Sequence, residues 1–306
     1  MNNWFLIAIS SPLLSAISNH IDKYLVTKIG AEVGIRGIIT FSGLFGSIIA
    51  VFILIFSHGA FEVETFSRFV LVVTGIINTL AVFYYLKALT VGEATIVAPF
   101  FQLVPVFAYI FGLIFFHEVF SSTQIIAGLI TIVGAGIISF DFEAVGDLKN
   151  KFRKDVVLTM ILSSLLFAVG VTTFKWSATE ASFWASNFWQ YIGIFLTGFI
   201  FLLIPKFRDD FLVIFKGNTF KIVGFISIIE ALTILGNLAT TFALVLAPIA
   251  LVLLVGSFQP VFIFIIGILG TLFIKGFVQE KLSRVSIIQK VLAISLILVG
   301  AYILYM

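Results

Sequence analysis

The sequence predicts an all-α integral membrane protein: ten transmembrane helices arranged as two inverted five-helix repeats. Three observations carry that expectation. The charges are too few for a soluble surface, ten apolar stretches are long enough to cross a bilayer, and residues of the first half recur in the second. Of the 306 residues, 61% are hydrophobic and 11% charged, with a mean hydropathy of +1.21. A soluble domain carries about 25% charged residues. There is no Cys, which excludes disulfides and thiolate metal sites. The N-terminus, MNNWFLIAIS, lacks both a positive n-region and a small-residue cleavage site, so it reads as the start of a retained first span.

A helix crossing the hydrocarbon core needs about 20 mostly apolar residues. The stretches 3–22, 35–56, 69–88, 95–116, 122–140, 156–174, 183–204, 220–245, 248–274 and 286–305 qualify. The longest hydrophilic run, DFEAVGDLKNKFRKD, divides the chain into repeat one (1–140), a polar linker (141–155) and repeat two (156–306). A second polar segment, PKFRDDFLVIFKGNTFK at 205–221, alternates basic residues with Phe207, Phe211 and Phe215. It is expected to lie along the membrane interface.

The halves align with each other. Leu13, Leu14, Ala16 and Lys23 recur 152 positions later as Leu165, Leu166, Ala168 and Lys175. Ala88, Leu89, Pro105, Val106 and Phe107 recur at a spacing of 155, and Glu118, Ser121, Ile125 and Ile126 at 162. The step from 155 to 162 places a seven-residue insertion near IKGFVQE (274–280). Each unit has an odd number of spans, so the second is expected to sit upside down relative to the first, an architecture of transporters.

A Lys ends the first helix, a Pro stands in the fourth, an acidic residue follows in the hairpin, and the fifth helix is Gly-rich. In repeat one the last part of this pattern reads PVFAYIFGLIFFHEVFSSTQIIAGLITIVGAGII. It resembles the EamA-type domain of the drug/metabolite transporter superfamily, present twice over nearly the whole chain. The resemblance implies a ten-helix exporter or exchanger of small metabolites. The second copy departs from it with Gln289 and Lys290 at the start of its last helix, a change that bears on close packing there.

Sixteen of the 18 Lys and Arg fall in odd-numbered loops, and only Arg68 and Lys175 in even ones. That bias predicts odd loops in the cytoplasm and both termini outside a multi-pass cell membrane protein. Lys175 escapes the rule because it repeats Lys23. Both lysines are expected to be structural, snorkelling from a helix end to the interface. Pro105 and Pro260 are likewise read as structural, kinking the fourth and ninth spans. The cluster Asn19, His20, Asp22 and Lys23 reads as a polar helix end meeting water, against the alternative of proton carriers.

Polar residues deep inside spans are the better binding candidates, because they usually face a cavity. In the eighth span Glu230, Thr233, Asn237 and Thr240 form one helical stripe. The same register in the third span gives Gly75, Asn78, Val82 and Tyr85. Gln102 and Gln259 accompany the prolines, and Trp189 and Tyr191 of the seventh span can stack on a substrate or make a cation–π contact. The candidate substrate-binding set is therefore Glu230, Asn237, Thr233, Asn78, Tyr85, Gln102, Gln259, Trp189 and Tyr191, with Glu230 its principal charge.

Nothing points to an enzyme. The three His lack metal-ligand spacing, no phosphate loop is present, and His117–Glu118 looks catalytic only until Glu280 repeats the acid without a His. No metal and no cofactor is expected. The expectation is a secondary transporter exporting a small polar or amphiphilic metabolite, an amino acid or amine, by alternating access. Its partners are that substrate, membrane lipid and a coupling proton, with no nucleic acid, in a monomer or homodimer. The alternatives are a carrier for a nucleotide sugar or lipid headgroup, and a membrane enzyme or lipid-binding scaffold reusing the fold.

Overall fold

The computed structural model describes residues 3–24, 34–56, 59–91, 98–139, 154–178, 183–216, 219–273 and 283–305. Most of the polar linker, the insertion at 274–280 and the side chains of Asp22 and Lys23 lie outside the described residues. The helices are α1 (Asn3–Tyr24), α2 (Ile35–Phe56), α3 (Thr65–Val91), α4 (Leu103–Phe116), α5 (Ser122–Ser139) and α6 (Lys154–Ala178). They continue with α7 (Phe183–Leu203), α8 (Pro205–Val213), α9 (Thr219–Leu246), α10 (Ile249–Val255), α11 (Gln259–Phe273) and α12 (Arg284–Tyr305). Among the described residues, seven helical stretches are long and apolar enough to cross a membrane. Three shorter apolar helices, Phe100–Phe116, Ser122–Ile137 and Ile287–Ile303, occupy the places expected for the fourth, fifth and tenth spans.

The fourth and ninth spans are broken rather than bent, whereas α1 runs unbroken through Pro12. A 3-10 turn, Ala98–Gln102, precedes α4, and another, Gly256–Phe258, joins α10 to α11. Pro105 and Pro260 therefore fall in the first turn of a restarted helix, where a missing N–H costs little. The polar segment after α7 forms the nine-residue α8, about 14 Å long and far too short to span. Phe207 stacks on Phe201 at 4.5 Å, and Arg36 of α2 faces Asp210 at 3.6 Å.

α3 lies along α6 and α1 along α9; α2 lies along α7 and α5 along α12. The last pair stays close despite Gln289 and Lys290. The close approach has moved to Gly300, where a Cβ would stand 2.2 Å from Thr131 Oγ1. Gln289 itself donates from Nε2 to Ile137 O at 2.6 Å.

Candidate functional site

α9 carries the principal candidates. At about 100° per residue, Gly224, Ile228, Ala231, Leu235 and Phe242 share one side of α9, and all are exposed. Glu230, Thr233, Asn237 and Thr240 lie on the opposite side, among the buried Ile226, Ile229 and Leu244. Thr233 is nevertheless exposed. An open residue in the middle of this face means that α9 is not packed against a neighbour at that point.

Around that opening runs a chain of polar contacts from three other helices. Ser42 Oγ of α2 donates to Glu230 Oε1. Asn237 Nδ2 donates to Tyr191 OH of α7 at 3.3 Å. Thr240 Oγ1 bonds Ser11 Oγ of α1 at 2.8 Å, and Thr241 donates to Asn187 Oδ1 of α7 at 3.3 Å. Four of the nine candidates, Glu230, Thr233, Asn237 and Tyr191, thus lie on or against this face of α9, while its partners Ser42, Ser11, Asn187 and Thr241 were not among them. Their signal in the sequence is faint: single hydroxyls or amides in apolar helices, each as consistent with interhelical bonding as with a site.

Other candidates are placed elsewhere. Asn78 is wedged against α6, where a Cβ on Gly170 would lie 1.9 Å from its Oδ1, and that buried oxygen has no hydrogen-bond partner. It is therefore no neighbour of Glu230. Tyr85 packs its ring 4.7 Å from Phe101 in an apolar cluster with Met160. Trp189 is a tether, not a free stacking platform: its Nε1 donates to Ala60 O at 2.8 Å and Arg68 lies 5.6 Å over its ring. Tyr191 is buried, with only its hydroxyl directed to the α9 stripe. Gln102 accepts from Ser257 Oγ at 2.8 Å, joining the fourth span to the ninth. Gln259 is half-buried at the start of α11, next to Ser257 and an exposed Gly256 where a Cβ would meet no atom within 4 Å.

His20 does not meet water. It is buried, with Nε2 2.9 Å from Ile263 O, because α1 packs against α11 along this turn.

Lys175 does not snorkel either. Its Nζ donates to Glu118 Oε1 at 2.8 Å and to Ala247 O at 2.7 Å, with side chains 12% and 11% exposed for Lys175 and Glu118. The Glu118 carboxylate also accepts from Ile249 N at 3.1 and 3.2 Å. Pro248 explains the arrangement. It breaks α9 from α10, leaving the Ala247 carbonyl and the Ile249 N–H without helical partners, and a cation and an anion take them. His117, in the left-handed conformation (φ 51°), turns the chain so that Glu118 reaches this point. For Lys175 the snorkelling expectation fails because it considered the lysine alone; the sequence repeats the acid, as Glu118 and Glu280, along with the lysine.

Two apolar grooves lie apart from all this. One, of about 620 Å³, runs along α12 beside Ile137, Ile288 and Leu292. Another, of about 150 Å³, lies between α4, α5 and α10. Neither contains a charged side chain.

No curated protein matches this chain. A crystal structure of a protein of 15% identity superposes with a TM-score of 0.69, covering 98% of this chain and 96% of that one. At such identity the likeness is one of fold. Residues 2–140 match the EamA-like transporter family. The first half of the chain is thus similar to an EamA-like transporter domain, and the apolar helices are those of a multi-pass membrane protein.

Proposed function

We propose that this protein is a secondary transporter that exports an amino acid or amine by alternating access, from a cavity lined by Glu230, Thr233 and Asn237. One observation carries the reading: a carboxylate stands well inside an apolar span, on the same side of α9 as the open Thr233. A carboxylate in hydrocarbon protonates or pairs with a cation. In this reading a proton or a substrate ammonium meets that carboxylate beside Ser42, while Asn237 and Thr240 offer neutral hydrogen bonds.

The architecture of the proposal is ten spans in two inverted repeats with both termini outside the cytoplasm. The helix pairing supports it. Exchanging the repeats turns the α3–α6 pair into α9–α1, and both pairs pack extensively. Gln102 and Ser257, which hydrogen-bond, are 155 positions apart, the spacing of the repeat. Equivalent positions touch one another only near a two-fold axis.

The test is flux of labelled amines and amino acids in proteoliposomes, comparing Glu230→Gln with Glu230→Ala. Gln keeps the size and hydrogen bonding while removing the charge. Loss of flux in both variants supports the reading. Flux that survives Gln with unchanged pH dependence leaves Glu230 only a packing role. A set of nucleotide sugars run beside the amines tests the other substrate class.

A further inference from the structure

The turn that leads into α3 is built as a plug. Ala60 and Val63 are 1% and 6% exposed, while Phe61, Glu62 and Glu64 between and after them are open. Gly59, at φ 100°, makes the reversal, a backbone conformation that a residue with a Cβ adopts only under strain. Ala60 belongs to an apolar cluster with Ile53 of α2, Phe188 and Tyr191 of α7, and Ile234 of α9. Val63 belongs to another, with Ala8 of α1, Phe174 of α6 and Ala243 of α9. Ile234 lies four residues after Glu230 and three before Asn237, on the polar side of α9. Tyr191 accepts the hydrogen bond of Asn237. The plug is therefore built into the same cluster as the α9 face that carries the candidate residues.

Two side chains from neighbouring helices fasten it. Carbonyls outside a helix need donors, and here Trp189 Nε1 of α7 donates to Ala60 O at 2.8 Å. Arg68 of α3 donates from Nε to Val63 O at 2.6 Å and from its guanidinium to Phe61 O. Arg68 also lies 5.6 Å over the Trp189 ring, so the two donors brace each other. They stand on a fixed base, because α3 and α7 touch backbone to backbone: a Cβ on Gly75 would lie 2.1 Å from Gln190 O, and one on Gly193 2.0 Å from Val72 O. Hydrogen bonds of this kind exchange for bonds to water at a modest net cost. The turn can therefore lift without any helix unwinding.

We propose that the 59–64 turn is a lid: it closes the even-loop end of the transport cavity, and release of the Arg68–Trp189 clasp opens it. The proposal rests on the transporter reading and adds to it the element that moves. Lids are drawn from segments held by a few exchangeable contacts. The Lys175–Glu118 tie stands at the same end in the ten-span scheme. That tie fastens helices; the clasp fastens the turn over them.

The chain has no cysteine, so each introduced thiol is a single reporter. Ala60→Cys reports the turn, Ile234→Cys the α9 face in its cluster, and Ala168→Cys, 0% exposed in α6, any general loosening. Labelling by a polar thiol reagent is measured in lipid nanodiscs, with Arg68 intact and in Arg68→Met. The thiols at 60 and 234 are expected to label about tenfold faster in Arg68→Met, and the thiol at 168 within twofold of its parent. Faster labelling at 60 alone overturns the proposal, because the turn then frays without uncovering α9. Unchanged rates at both positions overturn it too. If Arg68→Met loosens position 168 as well, Trp189→Phe, which loses a single hydrogen bond, takes its place. About threefold faster labelling at 60 and 234 is then expected.

A second arm reads transport. Phe61 and Phe188, whose rings lie 5.7 Å apart, are both replaced by Cys and joined by a short, cleavable bis-thiol cross-linker. Amine flux is measured before joining, after joining and after cleavage. Flux lost on joining and regained on cleavage supports the lid; full flux through the cross-linked protein overturns it. Absence of flux in every state sinks the amine substrate, and the labelling rates still decide the lid.

Discussion

The two seams differ in what fills them. Between α3 and α7, glycines let backbones touch, and the contact excludes everything including a methyl group. Between α2 and α9, a serine and a glutamate span the equivalent place beside an exposed threonine. In the two-repeat reading these are matching places, and they are filled differently. Glu118, Lys175 and the Ala247–Ile249 break are all in even-numbered loops or helix ends of the ten-span scheme, and they are tied together. This tie shuts the even-loop ends of α6, α9 and α10 against the hairpin after α4.

Breaking the tie on the shut face should have the largest effect. Lys175→Met leaves the Glu118 carboxylate nine-tenths buried without its cation, and removing one partner of a buried pair costs about 3 to 5 kcal/mol. A large fall in melting temperature and folded yield is expected, with Glu118→Gln behaving similarly. The double variant Lys175→Met with Glu118→Gln should regain most of the loss, since neither charge is then stranded. If each single variant melts like the parent, the tie contributes nothing and the shut face is held by apolar packing alone.

Next in size is the contrast between the seams themselves. Gly193→Ala places a methyl group 2.0 Å from Val72 O, and relieving such overpacking costs about 1 to 3 kcal/mol. Glu230→Ala, beside open space, should cost less than about 1 kcal/mol. Thermal melts of the two variants in one detergent check the order. Equal losses would mean that the α2–α9 seam is as tightly closed as its mate.

Much of the fold was legible because span length and repetition are coarse signals that lipid enforces. The expected segment 35–56 and the observed Ile35–Phe56 coincide, and 122–140 differs from Ser122–Ser139 by one residue. The helix faces were harder. In an apolar helix, hydrophobic periodicity does not tell a lipid-facing side from a protein-facing one. Asn78 and Glu230 therefore looked like neighbours across a common cavity, although α3 turns its Asn to Gly170. The α9 stripe was readable because a carboxylate is expensive in lipid and must point inward. Ser42 was not, since one hydroxyl among apolar residues carries little information. The Lys175–Glu118 pair was available in principle, in the joint recurrence of both charges, but the spacing alone does not say that a lysine after the sixth span meets a hairpin after the fourth.

The smallest expected effect separates anchoring from recognition on the shut side. Trp189 lies one residue before Gln190, whose carbonyl meets Gly75, so it sits at the edge of the closed seam. Its indole N–H donates to Ala60 O, while Arg68 covers its ring and itself donates from Nε to Val63 O at 2.6 Å. These contacts fasten the 59–64 turn to α7; none of them points to the α9 stripe. Trp189→Phe keeps an aromatic ring against Phe61 and Phe188 and removes one hydrogen bond, so the expected loss is about 1 kcal/mol. Substrate KM should be unchanged within twofold, because a ring used as a clasp does not contact the cargo. A KM raised tenfold at an unaltered melting temperature would put Trp189 in the binding cavity and extend that cavity across the seam described here as shut.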